Sequence, residues 1–178
     1  GPELEFFLFR RNGDGEIKPL PHDQAGYFDY STDLAQEVRQ DMVDALEAFG
    51  IRVEAAHHEV AEGQHEIDFK YSDAITQADR VTTAKIITRR IAYQHGLHAS
   101  FMPKPVYGIN GSGMHCNMSL SMLSGDNAFF ADKGDYQLSQ EALWFIGGLL
   151  KNIRGITAVT NPLVNSYKRL VPGYEAPV

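Results

Sequence analysis

The sequence has a single cysteine, Cys116, in 178 residues. An internal disulfide is impossible, and a reducing compartment, the cytoplasm, is the expected location. Basic residues are outnumbered, 16 Lys and Arg against 23 Asp and Glu, for a formal charge of −7. That balance disfavours nucleic acid and anionic membrane surfaces as partners. No apolar run approaches the ~20 residues of a membrane helix, and no secretory leader is visible. Internal repeats and low-complexity stretches are lacking. So are several familiar motifs. No phosphate-binding loop ends in Gly-Lys-Ser/Thr, and Gly111-Ser-Gly113 runs into Met-His-Cys, which leaves a dinucleotide fingerprint incomplete. His58-Glu59 and His65-Glu66 start like zinc-protease helices, but each lacks the second histidine. An initiator methionine is missing too, and Glu175-Ala-Pro-Val178 ends without a terminating element. The expectation is a piece of a longer protein.

What is present suits a single globular domain: 43% hydrophobic and 22% charged residues. Residues 3–9 alternate as a strand, with Glu3, Glu5, Phe7 and Phe9 on one face. Asn12-Gly13-Asp14-Gly15 predicts a hairpin returning through 16–20, then a loop over 21–31. Leu34, Val38, Met42, Leu46 and Phe49 predict a helix over 33–49, capped by Thr32 or Asp33 and stopped by Gly50. A strand at 51–56 follows. Ser72-Asp73 cap a second helix over 74–95, with Ile75, Ala78, Val81, Ile86 and Ile91 as its apolar positions and Gly96 as its stop. A strand at 97–102 leads to a glycine-rich loop and a further strand with His115, Asn117 and Ser119 on one face. A third helix is expected over 139–154, ended by Gly155, and mostly loop from 161 onward. The predicted class is α+β, a largely antiparallel sheet with flanking helices.

Chemistry concentrates in His57–Phe69, two strands about a turn at Glu62-Gly63. Glu59 and Glu66 lie on opposite arms and are expected to face each other across the pair. Opposed acids repel unless something positive sits between them, a metal ion or a basic partner. Glu3 and Glu5 share a strand face with Cα atoms about 6.5–7 Å apart, suiting one ligand to each of two ions, or else a solvated face. His115 stands in a polar stripe, as a ligand or as an ordinary hydrogen-bonded histidine. A donor set of carboxylates and one imidazole selects magnesium or manganese over zinc. In the tail, Arg169 precedes a Pro-Gly hinge with Glu175 at its far end, either a carboxylate clamp with a closing flap or a surface loop.

Four stretches in order, Gly1–Phe9, His57–Phe69, Asn110-Gly-Ser-Gly-Met-His-Cys-Asn-Met-Ser119 and Asn161–Pro177, resemble glutamine synthetase, most closely the bacterial and archaeal type I form. The resemblance runs over essentially the whole chain. It implies the N-terminal part of the catalytic domain, residues 1–178, without the family's N-terminal β-grasp domain and the remainder of the catalytic domain. It also implies ligation of ammonia to L-glutamate with ATP, Mg2+ or Mn2+, and a cytoplasmic homododecamer. By motif, Glu5, Glu59 and Glu66 would hold one metal, and Glu3 and His115 the other. Asn110, Gly111, Glu5 and Arg169 would bind glutamate, and Glu175 would close the site. Glu59 and Glu175 would receive ammonium. Glu54, Phe69, Lys70, Tyr71, Asn117 and Ser119 would line the nucleotide site. The alternatives are a related glutamate–amine or polyamine ligase, or a non-catalytic binding derivative.

Overall fold

The computed structural model describes residues 1–11, 13–14, 17–18 and 25–174. Its chain divides into two compact units. One comprises Gly1–Cys116 with Asn165–Val178, the other Asn117–Val164.

The first unit is built on a six-stranded sheet whose pairs are all antiparallel: β1 (Pro2–Arg11), β2 (Ile17–Lys18), β3 (Val53–His58), β4 (Gln64–Phe69), β5 (Leu97–Ser100) and β6 (Met114–Cys116). The main path runs β2-β1-β4-β3, and β5 and β6 pair with opposite halves of β1. The α+β expectation is met. Two helices, α1 (Gln36–Ala48) and α2 (Ala74–Gln94), pack with one sheet face. Alternation along β1 sends Leu4, Phe6 and Leu8 into that core, where they meet Met42 and Leu46 of α1 and Ile67 and Phe69 of β4. Phe6, Leu8, Met42 and Leu46 are fully buried, each worth about 1.5–3 kcal/mol of hydrophobic stabilisation. The opposite face of β1 carries Glu3, Glu5 and Phe7.

Both helices stop where expected, at glycines with positive φ, Gly50 and Gly96. The start of α1 and the buried face of α2 differ from expectation. The residue capping α1 is Ala35, with no side-chain cap. Asp33 instead accepts from the Ala35 amide at 3.0 Å and from Arg39 at 2.5 and 3.1 Å, so it serves a buried ion pair. Asp73 does cap α2, accepting from the Thr76 amide at 3.0 Å. Ile75 and Ile86 of α2 are exposed, and the buried positions are Gln77, Ala84, Ile87, Thr88 and Ala92. The tail also departs from the loop reading: Val164–Arg169 form a short helix, α4.

In the second unit, α3 (Gln140–Thr160) is capped by Ser139, which accepts from the Ala142 amide at 3.1 Å. It runs past Gly155, because one glycine costs a helix only about 1 kcal/mol. No helix among the described residues is long and apolar enough to cross a membrane.

Candidate metal and substrate site

Register places the acids. Glu3 pairs with Asp68 of β4 and with His115 of β6, Glu5 pairs with Glu66, and Phe7 pairs with Gln64. His57 of β3 is the cross-strand partner of Glu66. Side chains of directly paired residues share a sheet face. The face away from the helices therefore collects Glu3, Glu5, Gln64, Glu66, Asp68, His57 and His115. Glu59 is not directly opposite Glu66, contrary to expectation. It lies one residue past the end of β3, its amide donating to the Gln64 carbonyl at 2.7 Å, and its side chain turns back to His57.

These groups line one cavity of about 700 Å³. Glu3, Glu5, Glu59, Glu66 and His115 all border it, and so do Asn110, Gly111 and Arg169. Seven further wall residues were not among the expected site residues: Tyr27, His57, Gln64, Asp68, Lys104, Leu170 and Tyr174. Extending the alternation of Glu66 and Asp68 back by one step would have put Gln64 on this face. Tyr27 stacks edge-on against His57, 5.0 Å between centroids, a contact no local pattern signals.

Five carboxylates share this space, and burial sets their behaviour. His57 Nε2 bridges Glu59 at 2.8 Å and Glu66 at 3.2 Å. The two carboxylates raise the imidazole to about 10, so His57 is a cation at neutral pH. Burial lifts Glu66 to about 8, with Glu59 and Asp68 adding to the lift against His57. Glu59 also feels burial, but its bonds to His57, Glu66 and the Val60 amide bring it below the usual range. Glu5 is raised by burial, opposed chiefly by the Gly113 amide. Asp68 is raised by burial too. Histidine cation and carboxyl proton thus supply part of the compensation that concentrated anions require.

The donors also fit a divalent cation. One ligand atom each from His57, Glu59 and Glu66 lies within 4.8 Å of the others. Donors on opposite sides of a magnesium ion stand about 4.2 Å apart, given ~2.1 Å bonds. The carboxylate oxygens suit magnesium or manganese, and His57 could join them only after losing its proton. This tight group contains His57 where the resemblance has Glu5. Glu5 Oε2 is held instead by Gln64 Nε2 at 2.7 Å and the Gly113 amide at 3.0 Å. The other expected pair is in contact, His115 Nδ1 lying 3.0 Å from Glu3 Oε2.

The loop that follows β5 is shaped by what crowds it. A Cβ on Gly111 would lie 2.2 Å from the Pro103 carbonyl oxygen, and one on Gly113 would lie 2.6 Å from Arg169 Nη2 and 3.0 Å from Glu5 Oε1. Gly111, against a backbone oxygen, needs glycine for this approach, whereas at Gly113 the ends of the Arg169 and Glu5 side chains would have to move. Asn165 joins the loop to α4: its Oδ1 accepts from the Lys104 amide at 2.7 Å and its Nδ2 donates to the Lys104 carbonyl at 3.0 Å. Lys104 Nζ donates to the Ile109 carbonyl and sits 3.4 Å from the Tyr174 ring centroid. Asn110–Gly111 and Arg169 are thereby held to one frame, though 58 positions separate Gly111 from Arg169.

Several predicted residues lie elsewhere. Phe69 is 1% exposed in the helix-side core, so its ring cannot line a nucleotide site on the acidic face. The period of two puts it opposite Glu66 and Asp68. Glu54 and Tyr71 are exposed and Lys70 is half-buried; none of the three borders the cavity. The strand carrying His115 ends at Cys116, so Asn117 and Ser119 are not on it; they belong to the second unit, where both are exposed. Glu175 lies outside the described residues.

Comparison with known proteins identifies the family. The family profile "Glutamine synthetase, catalytic domain" matches residues 1–178. The chain is 61% identical to glutamine synthetase of Thermus thermophilus over 99% of its length, and 62% identical to that of Clostridium saccharobutylicum over all of it. In each case it spans 40% of the relative's own length. Among solved structures, Plasmodium falciparum glutamine synthetase superposes with a TM-score of 0.83 at 31% identity, covering 97% of this chain and 39% of that one. A structure described as apo GmaS gives 0.84 at 38% identity, covering 96% and 40%. The strand register, the carboxylate-lined cavity and these matches together establish that the chain belongs to the glutamine synthetase family, within whose catalytic domain all of it falls.

Proposed function

We propose that this chain forms part of the active site of a glutamate–ammonia ligase, which makes glutamine from L-glutamate, ammonia and ATP through γ-glutamyl phosphate. One observation carries the reading. Glu3, Glu5, Glu59, Glu66 and His115 border the same cavity as Arg169 and the Asn110–Gly111 loop. Metal-side acids and a carboxylate-binding cation in one space suit a reaction between two anions.

The carboxylate of glutamate is a poor acyl donor, and phosphorylation activates it. Mg2+ or Mn2+, held by Glu5, Glu59 and Glu66 and by Glu3 and His115, would neutralise the ATP phosphates. The chain's own residues do the positioning. Arg169 clamps the substrate carboxylate with its planar fork. The Asn110–Gly111 loop, fixed by Lys104 and Asn165, presents backbone polar groups to the amino acid. Glu59, with Glu175 from the tail, gives ammonium a negative pocket in which to lose a proton. Glu54, the Lys70–Tyr71 segment, Asn117 and Ser119 contribute to nucleotide binding, with Phe69 acting through its backbone. Because the acyl phosphate hydrolyses readily, the Arg169–Glu175 segment excludes water when the site is filled.

The chain spans about 40% of its relatives, and we propose that the working enzyme is a longer, cytoplasmic homododecamer. The isolated chain then turns over poorly. Two assays with glutamate, ATP, ammonium and magnesium test this. Arg169→Ala in the longer protein should raise the glutamate KM far more than the ATP KM. Turnover by the isolated chain comparable to the longer protein would overturn the division of labour. Product formation across a series of amines separates ammonia from larger acceptors.

A further inference from the structure

Gln64 opens β4 and is 2% exposed. A buried primary amide has two donor hydrogens and an acceptor oxygen to satisfy. Here each finds a partner, and the partners belong to different parts of the site. Nε2 donates to Glu5 Oε2 at 2.7 Å and to the Gly111 carbonyl at 3.1 Å. Oε1 accepts from the Ala61 amide at 3.3 Å, inside the turn that carries Glu59 to the cavity. Glu5 Oε2 in turn accepts from the Gly113 amide at 3.0 Å. A closed circuit results: carboxylate of β1, amide of β4, backbone of the Gly111–Gly113 loop, and back to the carboxylate.

The circuit has a mechanical consequence. Both donor hydrogens sit on one planar nitrogen, so they cannot be redirected separately. If Glu5 swings toward a cation, the amide follows and its bond to the Gly111 carbonyl changes direction. If a bound amino acid shifts Gly111, the Glu5 carboxylate is re-aimed. Burial removes water as a substitute partner, so a lost bond leaves an unsatisfied group, at about 1–3 kcal/mol each. A side chain that merely tethered the β3–β4 turn would need only the Ala61 bond, the longest of the three.

We propose that Gln64 is a positioning residue that links cation binding at Glu5 to amino-acid binding at the Asn110–Gly111 loop, so that filling either site tightens the other. The inference rests on the site reading given above. Linkage must be reciprocal, which supplies an internal check: the factor by which glutamate tightens the cation equals the factor by which the cation tightens glutamate.

The test is calorimetric. Mn2+ is titrated into the chain with and without saturating L-glutamate, and glutamate with and without saturating Mn2+. Wild type should show matching factors of about fivefold or more, the usual lower range of such coupling. Gln64→Met, similar in shape but without polar hydrogens, should bring both factors to about onefold while Mn2+ still binds. Gln64→Glu keeps an acceptor for Ala61 but offers no donor to Glu5 or Gly111, and should do the same. Circular dichroism checks the fold. If Gln64→Met does not fold, Gln64→Asn, whose amide falls one methylene short of both acceptors, replaces it. A purely structural role predicts lower thermal stability with the coupling factors intact. Coupling that persists in a folded variant overturns the inference alone. Failure of the wild-type chain to bind Mn2+ or glutamate overturns the site reading, and this inference with it.

Discussion

Replacing Glu66 by glutamine should stabilise the metal-free chain while abolishing its cation site. Glu66 is 7% exposed and faces Glu59, Asp68 and His57. Burial raises it from 4.5 to about 8, so the folded chain holds a proton that the unfolded chain has released. The sign follows from proton counting. Between pH 4.5 and 8 the native state binds more protons at this position, and stability falls as pH rises. Each pH decade is worth about 1.4 kcal/mol, so the cost at pH 7 is bounded at about 3 kcal/mol. Part is returned through Glu59, which the same interaction holds below its usual range, so the net cost is smaller than that bound. Glutamine reproduces the shape of the protonated acid without titrating. For a chain of this length, 1 kcal/mol moves Tm by about 2–4 °C, so Glu66→Gln should melt a few degrees higher near pH 7. Its stability should also decline less toward pH 8. Thermal melts by circular dichroism from pH 5 to 8 in chelator read this directly. A variant that melts lower than wild type across that range would refute the assignment of Glu66 as a carboxyl that burial keeps protonated.

Three further substitutions probe the frame. Asp33→Asn leaves the Arg39 guanidinium buried beside His65 with its charge partner gone, at a cost of about 3 kcal/mol in denaturant titrations. The Arg39 interactions hold the Asp33 carboxyl below 3.8 despite burial, so its contribution is complete above that value and is lost as pH falls through the lowered one. The Asn variant should lack that acid limb. Gly111→Ala must move the Pro103 carbonyl or the loop, and should lose about 1–3 kcal/mol of stability together with glutamate affinity by calorimetry. Asp73→Ala removes the α2 cap and should cost about 1 kcal/mol without altering Mn2+ binding.

The strands were legible because their signals are local. Alternation in Glu3–Phe9 identified which side chains share a face, and glycines 50 and 96 marked helix stops through positive φ. What escaped depended on distant partners. Asp33 reads as a cap by its position before a helix, yet Arg39 claims it. Gly155 reads as a stop, but helix propagation absorbs one glycine. His57 reads as an unassigned histidine until register sets it opposite Glu66, where the two acids make it a cation. Asn165 falls in the Asn161–Pro177 stretch, but its service to Lys104 exists only once α4 meets the loop. The site was legible as a set of carboxylates. The groups that aim and neutralise them were not.

The central claim is that these carboxylates are built to hold divalent cations beside an amino-acid loop. Crystals of the chain soaked in Mn2+, with data collected at the manganese edge, test it most directly. Anomalous peaks should lie within bonding distance of Glu59 and Glu66 and of Glu3 and His115, with His57 displaced from its bridge. A cavity without an anomalous peak, His57 still 2.8 Å from Glu59, would contradict the account.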